Sequence, residues 1–454
     1  LWGSLYALGD KEKGLMLPRP AHGALVVRLL QTLLVLFVPA AVHSSPIDML
    51  GVGGRAMSMG SAYTAVSDDV LAIYYNPAGL AQLEEHELLL GYLWSNPALH
   101  AESPQVPDLE VRQVVPYHLK CPVVGLAFNL DTIFENALPL HARVGVLNLT
   151  PDNFKSVYRD WDPEPSTARW FRYGDYWDRV NLEGALSLQA DGVPWVSLGI
   201  GFRFIISGTA FMVDRYGTHG LTLDLSGHGE GNSDLGVDTE LTPTAGVMLY
   251  PMEGLRLGYC FRDALSLVLA PMVTQAVAEI IPGKLALPLQ LSTMMEAYYM
   301  PQQHTVGISY QWTQRLLTSF DLSFFRWSRF APVSRGRPDP PWKDILIPRV
   351  GLEWRVLERL ALRAGYFFEP SPVPDQIKSS NYLDNDRHVF SAGIGYTFED
   401  PLRVVRKPMS VDMVVQYMRL PSRKTLKDPG YSPLPGYETR GEVVSVGGNI
   451  SFHF

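Results

Sequence analysis

The residues best able to do chemistry in this chain of 454 are its histidines, cysteines and clustered carboxylates, and their spacing tests each obvious chemistry in turn. His86-Glu87 could open the His-Glu-x-x-His helix of a zinc protease, in which two histidines one turn apart hold the metal, but Leu90 stands where the second should be. Gly51-Val52-Gly53 lacks the preceding strand and the βαβ context that a dinucleotide-binding loop requires. His219 and His228 fall with Asp224, Glu230 and Asp234 in the polar stretch 217–234, where a divalent-cation site is conceivable and a solvated loop is the default. Cys121 and Cys260 are far apart and have no ligand pattern beside them, so neither a zinc site nor a disulfide framework is indicated. No Ser/His pair stands in the context of a nucleophile and its base. The expectation is a protein with no catalytic residue, no metal and no cofactor.

The other charges follow a different rule. Glu183, Arg203, Arg349, Glu353, Arg355, Arg363 and Asp412 recur on the polar side of segments that alternate with a period of two. The last of these segments sets Val444, Val446, Ile450, Phe452 and Phe454 on one face and Ser445, Gly447, Asn449, Ser451 and His453 on the other. Residues 386–398, 409–417 and 195–206 repeat the pattern. The interior of a soluble sandwich would hold these charges only at high cost, whereas the wet lumen of a membrane barrel tolerates them. Apolar residues make up 46% and charged residues 19%, yet beyond residue 45 no apolar run is long enough to cross a bilayer as a helix. With a net charge of −8 and no dense Lys/Arg cluster, nucleic-acid binding is set aside.

The reading is therefore all-β: an antiparallel transmembrane barrel of about fourteen strands, at 87–94, 119–129, 139–148, 175–190, 193–206, 237–250, 255–261, 284–312, 316–328, 344–356, 359–368, 386–398, 409–420 and 442–454. The eighth contains Met300-Pro301 and could be a hairpin, but splitting it would make the count odd. The longer connections (95–118, 149–174, 207–236, 262–283, 329–343, 369–385, 421–441) all fall on one side, as in barrels with long external loops and short periplasmic turns.

Ahead of the strands, Arg19 and Arg28 precede an apolar run, Leu29 to Ala41, followed by small residues before Ser44-Ser45-Pro46. This predicts an export signal over 1–44, with residues 1–15 possibly untranslated and Met16 a candidate start, and it puts the mature protein beyond the inner membrane. Residues 45–83, rich in glycine and alanine and without alternation, are a candidate plug, which leaves 84–454 as the barrel.

Two stretches carry a resemblance. GGRAMSMGSAYTAVSDDVLAIYYNPAGLA at 53–81, and LRAGYFFEPSPVPD at 362–375 followed by DNDRHVFSAGIGYTF at 384–398, resemble the FadL/TodX family of outer-membrane transporters for long-chain fatty acids and other hydrophobic molecules. The resemblance implies that 45–83 is a hatch inside the lumen and that Asn76, Pro77 and Ala78 form the family's Asn-Pro-Ala motif, as a supporting turn or a ligand contact. It also matches Asp384, Asp386, Arg387 and His388 to a second motif, at a loop-to-strand junction. It implies passive uptake of hydrophobic small molecules, long-chain fatty acids or aromatic hydrocarbons, by hatch movement and sideways departure through the wall of a monomer in the outer membrane of a Gram-negative bacterium.

On that reading the apolar loop 262–283, with Leu265, Leu267, Leu269, Met272, Val273, Val277, Ile280 and Ile281, is the capture surface. A second loop holds Trp161, Trp170, Phe171 and Trp177; the bland alternative is that both loops pack together and close the mouth. Expected partners are the ligand, outer-membrane lipid and the barrel-assembly machinery, which in this family reads a terminal aromatic such as Phe454. The competing function is a barrel for protein secretion or assembly, acting through a docked protein.

Overall fold

The alternation that ends the chain becomes the strand that closes a barrel. The computed structural model describes residues 47–103, 118–133, 140–149, 168–170, 172–173, 181–213, 218–219, 222–223, 233–281, 285–332, 336–378, 380–401, 407–432 and 436–454, with backbone alone at 47, 48 and 169 and within 205–240 and 267–298. The export signal expected over 1–44 lies outside the described residues. No described helix is long and apolar enough to cross a membrane.

The barrel strands are β1 (Glu87–Glu102), β2 (Leu119–Asn129), β3 (Leu140–Leu149), β4 (Asn181–Ala190), β5 (Val196–Val213), β6 (Ser233–Met252) and β7 (Leu255–Arg262). The chain then makes a hairpin, β8 (Leu265–Ile281) and β9 (Leu285–Met300). It returns to the ring as β10 (Gln303–Thr313), β11 (Leu316–Phe325), β12 (Ile345–Leu357), β13 (Leu360–Glu369), β14 (Arg387–Phe398), β15 (Met409–Leu426) and β16 (Gly436–His453). Each ring strand pairs with the next, and β16 pairs with β1 from Glu87 opposite His453 to Glu102 opposite Glu438. At the seam His86 and Phe454 exchange backbone hydrogen bonds of 3.2 and 3.1 Å, so the chain's last residue completes the closure. The sheet has sixteen strands, of which β8 and β9 stand outside the ring and leave fourteen in it.

Three expectations change. The long strand 284–312 breaks at Met300-Pro301, where β9 ends and β10 begins. The count stays even because β9 pairs with β8, and β7 pairs directly with β10 from Arg262 opposite Gln303. The apolar stretch 262–283 is accordingly not a loop: most of it is β8, which also pairs in parallel with β5 near Val273 and Phe211. Likewise 207–236 is not all loop, since β5 runs to Val213 and β6 begins at Ser233.

Alternation sorts side chains as the bilayer demands. Outward-facing Ile200, Phe390, Met413, Val415 and Val446 are exposed while Ser197, Gln416, Ser445 and Asn449 on the inner face are buried. Trp195, Trp312, Trp354 and Tyr396 sit, exposed, near the short-turn ends of their strands, where a membrane interface favours amphipathic rings.

Much of the inner face is covered by the chain itself. Residues 47–83 form short helical turns (Ile47–Leu50, Gly54–Ser58, Ala72–Tyr75 and the 3-10 turn Pro77–Gln82) and are almost wholly buried. Their hydrogen bonds reach strands on every part of the ring: Val70 N donates to Glu87 on β1, Tyr63 N to Asp321 on β11 and Gly54 N to Asn449 on β16. Arg143 on β3 and Ser309 on β10 donate back to Leu83 O and Ala65 O. Wall glycines admit this backbone at close range: a Cβ at Gly365 would stand 2.0 Å from Gly60 N, and one at Gly199 would stand 2.1 Å from Ala78 N.

Candidate functional site

Asn76, Pro77 and Ala78 dock on β4, β5 and β6. Pro77 starts the 3-10 turn, where its missing N–H costs nothing, and extended Asn76 turns its amide back onto it. Asn76 Oδ1 accepts from Ala78 N at 3.2 Å, while its Nδ2 donates to Thr64 O at 3.0 Å and to Val247 O at 3.2 Å. Ala78 O accepts from Ser187 Oγ at 3.1 Å and Ser197 Oγ at 2.9 Å. All three motif residues are buried, so in this conformation they brace the segment against the wall and touch no open space.

The opposite side is held by charge. Arg55 Nη1 lies 2.5 Å from Asp68, and its Nε lies 2.9 Å from Glu353 on β12. Arg363 on β13 continues the chain of pairs, 2.7 Å from Glu353 and 2.6 Å from Asp412 on β15, and Arg256 on β7 meets Asp68 at 3.2 Å. These groups line a vestibule of about 920 Å³ near the short-turn end, together with Glu84, Glu358, Arg359 and Lys407. Of the inward charges expected from sequence, Glu183 and Arg203 pair with each other at 3.0 Å. Arg355, 3.9 Å from Glu353, is 56% exposed at the vestibule rim.

Between the segment and the wall a cavity of about 40 Å³ is lined by Tyr74, Tyr75, Arg262, Gln303, Ser323 and Arg349 among others. Arg262 lies over the Tyr74 ring at 3.9 Å, and Arg349 donates to Ser323 Oγ at 2.7 Å. Among the described residues, Arg262 Nε and Gln303 Nε2 are buried donors without an acceptor.

At the long-loop end an aromatic cluster stacks Phe330 on Trp342 at 4.1 Å, with Trp327 and Tyr382 within 5.4 Å of Trp342. Residues 382–383 pair in parallel with 169–170, so the loop before β14 joins the one that carries Trp170. Trp170 is buried and meets Tyr173 edge-on at 5.9 Å; Trp161, Phe171 and Trp177 lie outside the described residues. Of the capture surface, Leu265 is fully buried, while the side chains of Leu267, Leu269, Met272, Val273, Val277, Ile280 and Ile281 lie outside the described ones. The same holds for the side chains of His219 and Asp234, and for Asp224, His228 and Glu230 altogether. Among the described residues no His/Cys/Asp/Glu group could hold a metal ion.

Asp384, Asp386, Arg387 and His388 sit where the loop enters β14. Arg387 is fully buried, donates to Glu369 at 3.1 Å and to Met49 Sδ at 3.1 Å, and Glu369 also receives Arg172 at 2.6 Å. Asp384 Oδ2 accepts from Ser371 Oγ at 2.7 Å and Asp386 Oδ1 from Ser371 N at 2.8 Å, while His388 Nδ1 meets Tyr366 OH at 2.9 Å. Burial pushes the Asp384 carboxyl up to about 7, against the pull of Arg172. Sequence reasoning missed Arg55, Asp68, Arg172 and Arg262. The available signal was the presence of Arg55 and Asp68 in an otherwise small and apolar stretch, facing a lumen already expected to carry Glu353 and Arg363.

Comparison with known proteins agrees with this geometry. Alkane uptake protein A of Marinobacter nauticus is 24% identical over 383 residues, covering 79% of this chain and 80% of that protein. The long-chain fatty acid transport protein of Escherichia coli K12 is 29% identical over 143 residues, 30% of this chain and 29% of that protein. Among solved structures, the Pseudomonas putida toluene transporter TodX superposes with a TM-score of 0.55 at 13% identity, covering 90% of this chain and 99% of that one. A Pseudomonas aeruginosa FadL homologue gives 0.52 at 16% identity, covering 91% and 97%. At those identities the structures speak for the fold alone. The sequence model of the outer membrane protein transport protein family (OMPP1/FadL/TodX) matches residues 40–428, and the chain belongs to that family.

Proposed function

We propose that this outer-membrane barrel takes up hydrophobic small molecules passively, with residues 47–83 acting as the plug that yields and the wall letting the cargo leave sideways. The observation that supports this is the burial of residues 49–83 inside the ring of strands. The cavity left between Tyr74 and the wall, about 40 Å³, has room for a water or two and not for the roughly 300 Å³ or more that a ligand pocket takes. A pore for hydrophilic solutes keeps its channel open; a carrier of hydrophobes needs a seal that moves.

Long-chain fatty acids are the first choice of cargo, since Arg262, Arg349 and the Gln303 amide line one cavity and offer donors suited to a carboxylate. Alkanes and aromatic hydrocarbons, the cargoes named for the Marinobacter and Pseudomonas relatives, are the second. Asn76, Pro77 and Ala78 anchor the plug, Asp384, Asp386, Arg387 and His388 fix the loop junction, and the β8–β9 hairpin is the external capture surface. Outer-membrane lipid covers the apolar band, the assembly machinery reads Phe454, residues 1–44 are the export signal, and the barrel works as a monomer.

Uptake of labelled palmitate and labelled toluene by cells with and without the gene tests the reading. The gene should raise palmitate uptake several-fold; equal rates with and without it for both compounds would contradict the proposal.

A further inference from the structure

We infer that the small cavity beside Tyr74 and Tyr75 holds one monovalent inorganic anion of halide size, bound by Arg262 on β7 and Gln303 on β10 and faced by Arg349 on β12. The inference goes beyond transport: it concerns the counter-ion of two buried arginines and stands whatever the cargo is.

Three observations point to an anion. The first is charge. Arg262 and Arg349 are only 9% and 8% exposed, and among the described residues neither is in an ion pair. Arg262 has the face of the Tyr74 ring at 3.9 Å, and Arg349 has Ser323 Oγ at 2.7 Å and the Phe367 ring at 5.2 Å. Of the described residues that line the cavity, Asp321 is the one carboxylate. Register assigns it to Arg349, which it faces across β11 and β12, whereas the residue facing Arg262 across β7 and β10 is Gln303. The other groups acting on Arg262 are Tyr74, Cys260 and the pair Glu183–Arg203, already closed at 3.0 Å. One buried positive charge is thus left without an opposite, a state that interiors disfavour strongly.

The second observation is the donors. Arg262 Nε and Gln303 Nε2 are buried without an acceptor among the described residues, and both side chains line the same cavity. An anion accepts from both at once. The third is size. About 40 Å³ takes a water or two, or a single monatomic ion. Water would satisfy the donors and leave the charge, and in this closed arrangement the carboxylate of a long-chain acid would bring a chain for which there is no room.

The test uses the full-length protein in detergent, purified with bromide in place of chloride. Anomalous diffraction from its crystals should show one bromide in the cavity, within hydrogen-bond reach of Arg262 Nε and Gln303 Nε2. In solution, bromide or chloride should raise the thermal midpoint over that in gluconate, an anion too large for the cavity, at equal ionic strength and in a saturable way. Gln303→Leu keeps most of the volume and removes the donor, so it should weaken bromide saturation about tenfold. Arg262→Gln should abolish the halide effect altogether.

Water alone in the cavity, or bromide confined to exposed surfaces, would overturn the inference. Equal midpoints in chloride and gluconate would do so too, as would a halide effect that survives intact in Arg262→Gln. Should that variant fail to fold, the bromide position in the unmodified protein and the Gln303→Leu titration decide the matter. No arm reads uptake, so the anion site and the transport reading stand or fall separately.

Discussion

The two faces of the segment inside this barrel are held by opposite chemistries. Toward β4–β6 it is fixed by neutral hydrogen bonds through Asn76 and Ala78, in a site with no exposed surface at Asn76. Toward β12–β15 it is fixed by Arg55 in a chain of ion pairs that borders a water-accessible vestibule. A buried hydrogen bond adds little when made and costs much when half of it is removed, and the same holds for an ion pair with Arg55 15% and Glu353 4% exposed. Each face is thus held by contacts that are costly to part, neutral on one side and charged on the other.

Substitutions can break this comparison, the largest effect first. Asn76→Ala removes one acceptor and two donated hydrogen bonds at a buried site, leaving Ala78 N, Thr64 O and Val247 O without that partner. It should lower the local stability of residues 72–82 by about 2–4 kcal/mol, read as lost amide protection. Glu353→Gln should cost about 2 kcal/mol at 54–60, since it weakens two largely buried pairs while Arg55 keeps Asp68 and Arg363 keeps Asp412. Equal losses of protection in the two variants would remove the distinction between the faces.

The smallest effect lies at the loop end that caps the barrel before β14, where Asp384 sits. Asp384 has its folded pKa raised by burial from 3.8 to about 7, so between those values the unfolded chain gives up a proton that the folded one keeps. Folding then binds a proton, and the cap's stability falls as pH rises from about 4 to 7 and stays lowered above that. Asp384→Asn should therefore gain thermal stability over the parent at pH 8 and show no gain at pH 3.5. A gain of the same size at both pH values would contradict the assignment.

Much of this was legible in the chain. Period-two alternation in 195–206, 386–398 and 444–454 gave strands and faces, because lipid outside and polar contacts inside impose that period on every barrel strand. The count of fourteen stood even though one strand was drawn too long, since the extra piece 285–300 pairs outside the ring. The hairpin itself was not legible. LSLVLAPMVTQAVAEII at 265–281 is apolar without alternation, and composition alone does not separate an external strand from an apolar loop. At the site, Asn76-Pro77-Ala78 announced a rigid turn, but its receptors Ser187, Ser197 and Gly199 are set by barrel register, more than a hundred residues on. Arg55 and Glu353 lie 298 positions apart and Arg172 and Glu369 lie 197 apart, pairings that no local pattern encodes.

The central claim is that residues 47–83 seal a lumen that would otherwise conduct. Ion conductance of purified protein in planar bilayers tests it most directly, comparing the full chain with one lacking residues 47–83. The full chain should show no steady conductance and the shortened barrel a large, constant one; equal steady conductance from the two proteins would contradict the account.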